Sequence, residues 1–369
     1  MKALSCLLLL PVVTALAADH SAVILSEFLN EHAPYPECHA STIVETAPGQ
    51  LAAAWFGGTK ERNPDVGIWF TRQENGRWLP AVEVANGMPD ALRQAQGNEA
   101  DAKPVRQAQG PEPVAGRLPC WNPVLFQPTG GPLVLFYKVG PSPSQWWGLV
   151  MTSTDAGKTW SAPRRLPDGI LGPIKNKPVA LPDGTWLAPS STEGNKDGWL
   201  VHFEMSPDRG ATWKKIGPVA KGPGLDAIQP SILLHPAGVL QALCRTKQGV
   251  IAQTWSKDGG KSWSALTAAE LPNPNSGTDA VTLADGRQLL VYNHSAHRPD
   301  EAKGNRWPLN VAVSDDGLVW RHAITLETEP RTSGYAYPAV IQAADGQVHI
   351  TYTWGRKVIK HVVLDPKKL

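Results

Sequence analysis

Short apolar runs alternate with glycine-containing turns along most of this 369-residue chain. Typical runs are Pro178–Leu181, which leads into a turn, and Leu289–Tyr292, which follows one. Paired runs of this kind predict antiparallel strands joined by hairpin turns. The turns contain Gly49, Gly131, Gly184, Gly238, Gly286 and Gly346. We therefore predict six equivalent hairpins.

A second repeat of eight residues falls between these hairpins. Residues 153–160, 206–213 and 256–263 read Ser-x-Asp-x-Gly-x-(Thr/Ser)-Trp, and residues 313–320 form a weaker copy with Asp315 at the aspartate position. In this Asp-box motif the aspartate is expected to accept hydrogen bonds inside a tight turn and the glycine to supply an unusual backbone conformation. The tryptophan should pack between neighbouring sheets. We expect these aspartates to be structural rather than catalytic.

The two repeats together predict the fold. An inner hairpin followed by an Asp-box hairpin makes a four-stranded antiparallel sheet, and six such sheets around an axis make an all-β, six-bladed β-propeller. This arrangement buries both faces of every sheet and leaves only short edges. One domain is predicted over residues 19–369. Residues 88–118 repeat the motif Arg-Gln-Ala-Gln-Gly amid Pro, Glu and Ala, with little to bury, and we predict a disordered loop there.

The first residues resemble an export signal. Lys2 precedes the apolar stretch Leu4–Leu16, and Ala15-Leu16-Ala17 provides a small-residue cleavage site. We predict a signal peptide over residues 1–18 and a periplasmic or secreted mature chain. The apolar stretch is too short to cross a bilayer, so no membrane insertion is expected.

Three cysteines would remain after cleavage: Cys38, Cys120 and Cys244. An odd number leaves at least one free thiol. Cys38 and Cys120 both begin first strands of adjacent predicted blades, so either a disulfide between them or buried thiols would fit the sequence.

Charge and motif content exclude several functions. The formal net charge is +2, which gives no reason to expect a nucleic-acid partner. The sequence contains no metal-ligand cluster of recognisable spacing, no glycine-rich phosphate loop and no Gly-x-Ser-x-Gly elbow, so we predict no cofactor. We expect a monomer.

Propeller geometry places polar residues together at one end of the axis. The inner strands begin opposite the glycine turns, and their first residues and the last residues of the second strands should surround a funnel. The first set is His39, Asn122, Asn176, Lys177, Gln229, Thr278, Asp279 and Tyr337. The second set is residues 57–59, Lys138, Ser191, Arg245, Asn293, His294 and Trp354. Because core positions would be apolar, this polar funnel is the predicted binding site.

The Asp-boxes, the six blades and the closing segment Gly334–Gly346 resemble the sialidase (neuraminidase) superfamily, particularly its bacterial members with BNR repeats. The resemblance covers essentially the whole chain after the signal. It implies an exo-glycosidase that takes a terminal acidic sugar from a glycan. In that family three arginines hold the sugar carboxylate, a tyrosine activated by a glutamate attacks the anomeric carbon, and a loop aspartate protonates the leaving group.

The resemblance assigns roles to particular residues. Tyr337, nine residues before Gly346, matches the nucleophile. Arg245 and Arg306 match the second and third arginines. Asp65 lies where the acid is expected, with Glu61 as its rival.

Two positions depart from the family pattern. His39 stands where the first arginine is expected, and Gln229 stands where the tyrosine-activating glutamate is expected. A titratable ring and a neutral amide thus replace a guanidinium and a carboxylate. Lys138 and Lys177 could restore positive charge, and Glu193 could act as the base for Tyr337, because an ordinary tyrosine needs such a partner at neutral pH.

Two other classes of function fit the same residues. His39 and His294 could be the paired groups of a polysaccharide lyase acting on uronic-acid glycans, in which a base removes the proton beside a carboxylate. A propeller that binds carbohydrate without turnover is the third class. The primary prediction remains a secreted, sialidase-like hydrolase whose partner is a glycan.

Overall fold

The computed structural model describes residues 20–88, 116–194, 196–297 and 301–369. Within them, antiparallel strands form six sheets arranged as a six-bladed β-propeller, which confirms the predicted fold. Short 3-10 turns occur at His20–Ala22, Pro236–Gly238 and Pro366–Lys368. The predicted signal peptide and nearly all of the loop predicted over residues 88–118 lie outside the described residues. No helix in the described ranges has the length and apolar character needed to cross a membrane.

Blades 1 to 3 follow one another along the chain, each beginning with its innermost strand. Blade 1 contains β2 (Glu37–Ala47), β3 (Gln50–Gly58), β4 (Gly67–Glu74), β5 (Arg77–Trp78) and β6 (Val82–Ala85). Both β5 and β6 pair with β4, so they share the outermost place. Blade 2 contains β7 (Cys120–Phe126), β8 (Leu133–Val139), β9 (Trp147–Ser153) and β10 (Arg164–Arg165). Blade 3 contains β11 (Val179–Ala180), β12 (Trp186–Glu193), β13 (Trp199–Ser206) and β14 (Lys214–Ile216).

Blades 4 and 5 repeat this order, and blade 6 closes the ring. Blade 4 contains β15 (Ala227–Leu234), β16 (Leu240–Thr246), β17 (Val250–Ser256) and β18 (Thr267–Pro272). Blade 5 contains β19 (Asp279–Thr282), β20 (Gln288–Tyr292), β21 (Leu309–Ser314) and β22 (Arg321–Glu327). Blade 6 contains β23 (Tyr335–Gln342), β24 (Val348–Trp354) and β25 (Val358–Leu364), and its outer strand is β1 (Val23–Phe28). Pairing of β1 with β25 joins the two ends of the described chain in one sheet.

The Asp-boxes are self-contained turns, as predicted. In the first box, Ser153 Oγ donates to Asp155 Oδ1 at 2.7 Å and accepts from the Gly157 amide at 2.8 Å. The Thr159 amide and hydroxyl both donate to the Asp155 carboxylate. These bonds lower the pKa of Asp155 to about 2, with the Thr159 hydroxyl contributing most. The boxes at residues 206–213 and 256–263 have the same bonds.

In the fourth box, the aspartate that accepts the hydrogen bonds lies one residue after the position that the sequence repeat predicted. Its acceptor is Asp316 rather than Asp315. Ser314 Oγ donates to Asp316 Oδ1, and so do the amides of Leu318 and Val319. The turn is therefore one residue shorter between the serine and Gly317 than in the other boxes. A tight turn can still form because the amides replace the missing hydroxyl.

Each of the first three Asp-box tryptophans packs on the preceding blade. Trp160 meets Phe70 of blade 1 edge-to-face with ring centroids 5.3 Å apart, and Trp263 stacks on Phe203 of blade 3 at 3.7 Å. Gly157 has φ +85°, and a Cβ there would lie 2.2 Å from Phe70 Cζ. The box glycine is therefore required both by its backbone conformation and by the contact between blades.

The three cysteines in the described part of the chain are buried free thiols. Burial raises the pKa of Cys38 to about 12 and raises those of Cys120 and Cys244 further. Of the two possibilities that the sequence left open, the structure therefore has buried thiols rather than a bridge between Cys38 and Cys120.

Candidate functional site

The funnel begins where four innermost strands are interrupted by a bulge. The strand register shifts at these points in β2, β7, β15 and β23. The residues with left-handed backbone at the bulges are Ala40, Asn122, Gln229 and Tyr337. A proline follows each of the last three, which is possible because the ladder is already broken there. Non-glycine residues with positive φ cost about 1–3 kcal/mol each, and such strain is typical of functional sites.

Tyr337 lies at the centre of the funnel. Its phenolic oxygen accepts a hydrogen bond from Arg245 Nη1 at 2.8 Å and one from Gln229 Nε2 at 3.1 Å. Arg245 Nη1 also lies 3.3 Å from Gln229 Oε1, and its Nε donates to Asn275 Oδ1 at 2.7 Å. These four side chains come from blades 4 and 6 and the loop that follows β18. The structure therefore brings together the predicted Tyr337, Arg245 and Gln229.

Three cations surround the ring of Tyr337. The distances from its centroid are 5.8 Å to Arg245 Cζ, 5.6 Å to Arg306 Cζ and 5.7 Å to Lys175 Nζ. Burial lowers the pKa of Lys175 to about 7, and burial together with Arg245 lowers the pKa of Arg306 to about 10. An anion that enters the funnel would relieve this crowding of positive charge. The structure thus brings Arg306 beside Tyr337.

Lys175 was not predicted from the sequence. Its Nζ donates to Asn176 Oδ1 at 2.7 Å, to the Thr278 carbonyl at 2.9 Å and to the Pro338 carbonyl at 2.6 Å. All three ammonium donors are therefore satisfied by blades 3, 5 and 6. Lys175 holds these blades together beneath the tyrosine.

His39 packs on the other side of Tyr337, with ring centroids 4.2 Å apart. Its Nδ1 lies 3.0 Å from Thr353 Oγ1, while its buried Nε2 has no partner among the described residues. Burial, then the positive charge of Arg356, and then that of Arg306, hold the pKa of His39 well below its usual range. The imidazole is therefore neutral and does not replace the charge of an arginine.

Arg356 supplies a guanidinium near that position instead. It lies in the turn between β24 and β25, with φ +63°, and its Nη1 lies 2.5 Å from Glu61 Oε2. The sequence did not predict it. Glu61, the predicted rival of Asp65, thus neutralises a cation beside the funnel.

Lys177 has a connecting role. Its Nζ donates to Asp279 Oδ2 and to the Ala280 carbonyl, both at 2.9 Å. The Asp279 carboxylate also accepts from Ser231 Oγ and the Val340 amide. Four blades thus meet at one carboxylate on the funnel wall.

Lys138 is placed deeper than the sequence suggested. Its side chain has no exposed surface, and its Nζ donates to the Pro173 carbonyl. Burial lowers the pKa of Lys138 to about 7, although the nearby Glu204 opposes this. Lys138 therefore belongs to the contact between blades 2 and 3.

The predicted acid and base occupy different surroundings. Asp65 Oδ2 accepts from both the amide and the hydroxyl of Thr59 at 2.7 Å. Glu193 ends β12 and lines a cavity of about 280 Å³ with Trp146 and Trp147. Burial raises the pKa of Glu193, and the charge of Arg245 opposes this rise. Glu193 therefore lies close enough to Arg245 for the guanidinium charge to act on it.

His294 is not assembled with His39. Its Nδ1 is hydrogen-bonded to the Tyr292 hydroxyl, and its amide donates to Asn310 Oδ1 at 3.3 Å. Burial and the neighbouring His322 lower the pKa of His294. The two imidazoles thus serve different blades, and the geometry gives no acid–base pair of histidines. In the described ranges no group of three or more His, Cys, Asp or Glu side chains could hold a metal ion.

The structure thus has a polar funnel with a central tyrosine on a propeller built from Asp-box blades. Known proteins with similar sequences and folds agree with this architecture. The sequence pattern of the BNR repeat-like domain family matches residues 49–350, and the chain belongs to that family. Among curated proteins, the anhydrosialidase of Macrobdella decora is 23% identical in an alignment of 230 residues that covers 55% of this chain and 29% of that protein. The sialidase of Bacteroides fragilis (strain YCH46) is 24% identical in an alignment of 211 residues that covers 52% of this chain and 37% of that protein. The chain spans about a third of the length of these two curated relatives.

Solved structures share the fold. A protein of unknown function from Dyadobacter fermentans DSM 18053 superposes with a TM-score of 0.70 at 19% identity, covering 93% of this chain and 98% of that one. The intramolecular trans-sialidase from Ruminococcus gnavus, in complex with oseltamivir carboxylate, gives 0.69 at 14% identity, covering 95% and 99%. At these identities the likeness is one of fold.

Proposed function

We propose that the protein is a sialidase-type glycoside hydrolase that removes a terminal acidic sugar from a glycan, with Tyr337 as the nucleophile. One observation carries the proposal: the Tyr337 oxygen accepts hydrogen bonds from Arg245 and Gln229 at the centre of a cationic funnel. The relatives named sialidase and anhydrosialidase support the class of reaction. The apolar segment Leu4–Leu16 supports a further proposal, that the protein acts in the periplasm or after secretion.

The cations explain why the sugar would be acidic. Arg245 and Arg306 both lie within 6 Å of the ring centre of Tyr337, at 5.8 and 5.6 Å. Guanidinium groups bind planar carboxylates through paired, charge-assisted hydrogen bonds. A carboxylate held between them would place the anomeric carbon over the tyrosine oxygen.

The chemistry would proceed in two steps. The phenolate oxygen of Tyr337, its proton having passed to solvent, forms a bond to the anomeric carbon while the glycosidic bond breaks. A carboxylic acid gives its proton to the leaving oxygen, and water then cleaves the sugar–tyrosine bond with overall retention of configuration. The amide of Gln229 donates to the tyrosine oxygen, and Arg245 and Arg306 stabilise negative charge there.

We assign the proton donor to Glu193. Its pKa is raised by burial, which suits a group that must be protonated at the start of the reaction. Asp65, the residue implied by the family resemblance, is held by Thr59 and is the alternative.

The test uses Tyr337→Phe and a fluorinated sialosyl fluoride that traps the covalent intermediate. We expect kcat on a sialoside to fall by about 10³-fold or more, because the nucleophile is lost. Mass spectrometry should find the trapped sugar on Tyr337 in the unmodified protein. Tyr335→Phe is the matched control in the same strand, because the Tyr335 hydroxyl donates to the Glu329 carbonyl and not to the side chains around Tyr337.

Other outcomes would contradict the proposal. An adduct on a different residue, or an active Tyr337→Phe variant, would remove Tyr337 from the reaction. An unsaturated, ultraviolet-absorbing product from a uronic-acid glycan would indicate a lyase. Tight binding of sialosides without any turnover would indicate a carbohydrate-binding propeller.

A further inference from the structure

A second cavity adjoins the funnel at the ends of blades 5 and 6. It has a volume of about 280 Å³ and is lined by Lys303, Gly304, Asn305, Arg306, Trp307, Arg331, Ser333, Gly334 and Arg356. Backbone hydrogen bonds join the three segments that form it. The Tyr335 amide donates to the Arg306 carbonyl at 2.8 Å, and the Gly355 amide donates to the Gly334 carbonyl at 2.8 Å. The cavity is thus part of the folded framework.

Two glycines allow these segments to approach so closely. Gly334 has φ +57°, and a Cβ there would lie 2.4 Å from the Arg306 carbonyl oxygen. Gly355 has φ +61°, and its Cβ would lie 3.0 Å from Arg331 Cδ. A larger residue at position 334 would displace Arg306, and one at position 355 would crowd Arg331.

The cavity lining is strongly basic. Lys303, Arg306, Arg331 and Arg356 contribute four cations, and none of the described residues that line it is acidic. Arg331 is held over the ring of Trp354, with Cζ 3.3 Å from the ring centroid. Like charges gathered at one place repel each other, so an anion bound there would be stabilised.

One contact within the chain shows which chemistry the cavity accepts. Arg356 receives the Glu61 carboxylate from the blade 1 loop at 2.5 Å. That carboxylate is partly exposed and comes from outside the cavity lining. In the proposed function Arg306 binds the carboxylate of the terminal sugar. Lys303 and Arg331 then remain, with no ion pair among the described residues, to be matched by oxyanions from a ligand.

Arg306 connects the cavity to the reaction centre. Its side chain lines the cavity, and its Cζ lies 5.6 Å from the ring centroid of Tyr337. A group bound in the cavity would therefore lie beside a sugar bound over Tyr337. The volume is slightly below the usual range for whole drug-sized ligands, which is about 300–1,000 Å³, so it suits one charged substituent and part of one sugar.

We propose that the cavity formed by residues 303–307, residues 331–334 and Arg356 is a second anion subsite, which holds a sulfate or carboxylate group of the same glycan next to the terminal acidic sugar. The inference rests on the proposed function, since it identifies the substrate as a glycan with two adjacent acidic groups. It assigns substrate selection to Lys303 and Arg331, which lie outside the shell of Tyr337.

The test is calorimetric binding at constant ionic strength, using the full chain with Tyr337→Phe so that no turnover occurs. Three oligosaccharides share a terminal sialic acid and differ in the next sugar, which is neutral, sulfated or a uronic acid. We expect the doubly anionic ligands to bind about tenfold more tightly than the singly anionic one, as expected for one added charge-assisted contact. The sulfated and uronic-acid arms distinguish the two sources of the oxyanion.

The variants are Lys303→Met with Arg331→Met, which keep much of the side-chain length and remove the charge. Both residues are exposed, so the fold should be retained. The double variant should lose the tenfold preference while its affinity for the singly anionic ligand stays within about twofold. Replacing Arg331→Met in the double variant by Arg331→Lys should restore part of the preference for doubly anionic ligands. Lys257→Met, in the exposed turn of the third Asp-box, should leave that preference unchanged.

The proposal would be overturned if the Tyr337→Phe protein, with no substitution in the cavity, bound all three ligands with equal affinity. So would an equal loss of preference in Lys257→Met, which would indicate a general effect of net charge. Failure of the proposed function gives a different pattern. In that case Tyr337→Phe would keep the activity of the unmodified protein, while the preference for a second anion would still depend on Lys303 and Arg331.

Discussion

The two ends of each blade use charged side chains in opposite ways. At the Asp-box end, Asp155 is half-buried and Asp258 is exposed. Both receive hydrogen bonds from residues of their own turn, and these bonds lower their pKa values to about 2. At the funnel end, Lys175 and Arg306 come from different blades, and burial lowers their pKa values to about 7 and about 10. One end stabilises its charges within a single turn, whereas the other gathers buried cations from several blades.

The difference shows where stability and function are separated in this fold. An Asp-box is completed within eight residues, so it can be copied from blade to blade without regard to the rest of the molecule. The funnel exists only when side chains from several blades meet, which leaves each blade free to contribute a different residue. On this fold, function therefore resides at the funnel end, where side chains from several blades meet.

Among the variants that test the contrast between the two ends, the largest effect should come from Arg245→Met. Arg245 donates to both Tyr337 and Asn275, and charge-assisted hydrogen bonds contribute about 1.5–3 kcal/mol each. We expect kcat/KM for a sialoside to fall by about 10²- to 10⁴-fold, with little change in melting temperature. Arg209→Met, at an exposed position of the second Asp-box, is the control at the opposite end. Equal losses in the two variants would remove the contrast between the ends.

Glu193→Gln should change the pH dependence of the reaction. Since burial raises the pKa of Glu193, the acid form persists to higher pH, and activity should decline as pH rises through that pKa. The variant should lose this decline and show kcat reduced by about 10²- to 10⁴-fold on substrates with poor leaving groups. Aryl glycosides, which need little protonation, should be affected much less. If Asp65→Asn removes the decline and Glu193→Gln does not, the proton donor is Asp65.

The smallest effect on activity should come from Asp258→Ala, in the third Asp-box. The turn loses its bonds to Ser256 and Ser262, so the melting temperature should fall by a few degrees while kcat per folded molecule stays unchanged.

The pH dependence of that loss has a definite sign. The folded pKa of Asp258, about 2, lies below its ordinary value, so the carboxylate adds stability above about pH 4 and loses it as the pH falls towards 2. The difference in melting temperature between the two proteins should shrink over that range. A difference that stays constant would mean that the carboxylate charge has no role in the turn.

Local repetition explains why the fold was predictable. Turn glycines and Asp-boxes recur at short range, so the sequence predicts six blades and places Tyr337, Arg245 and Gln229 at the funnel. Arg306 was indicated by the family resemblance rather than by this repetition. The fourth box was misaligned because its turn is one residue shorter, which moved the acceptor from Asp315 to Asp316.

The remaining site residues depend on tertiary structure. Arg356 meets Glu61 across 295 positions of the sequence, and no local pattern records that contact. The sequence singled out Lys177, yet Lys175 lies under the tyrosine, because β11 begins only at Val179 and strand alternation cannot orient the residues before it. Lys138 lies in a regular strand, but whether its side chain faces the axis or a neighbouring blade depends on packing.

The pairing of β1 with β25 also limits when the ring can close. Of the described strands, β1 is synthesised first and its partner β25 is synthesised after all the others. The Asn30 side chain, just after β1, likewise accepts a hydrogen bond from the Ile359 amide, which lies 329 positions later in the sequence. Contacts this distant in sequence form slowly. Blades 1 to 5 can assemble as the chain grows, while the ring closes only after the carboxyl-terminal hairpin is available.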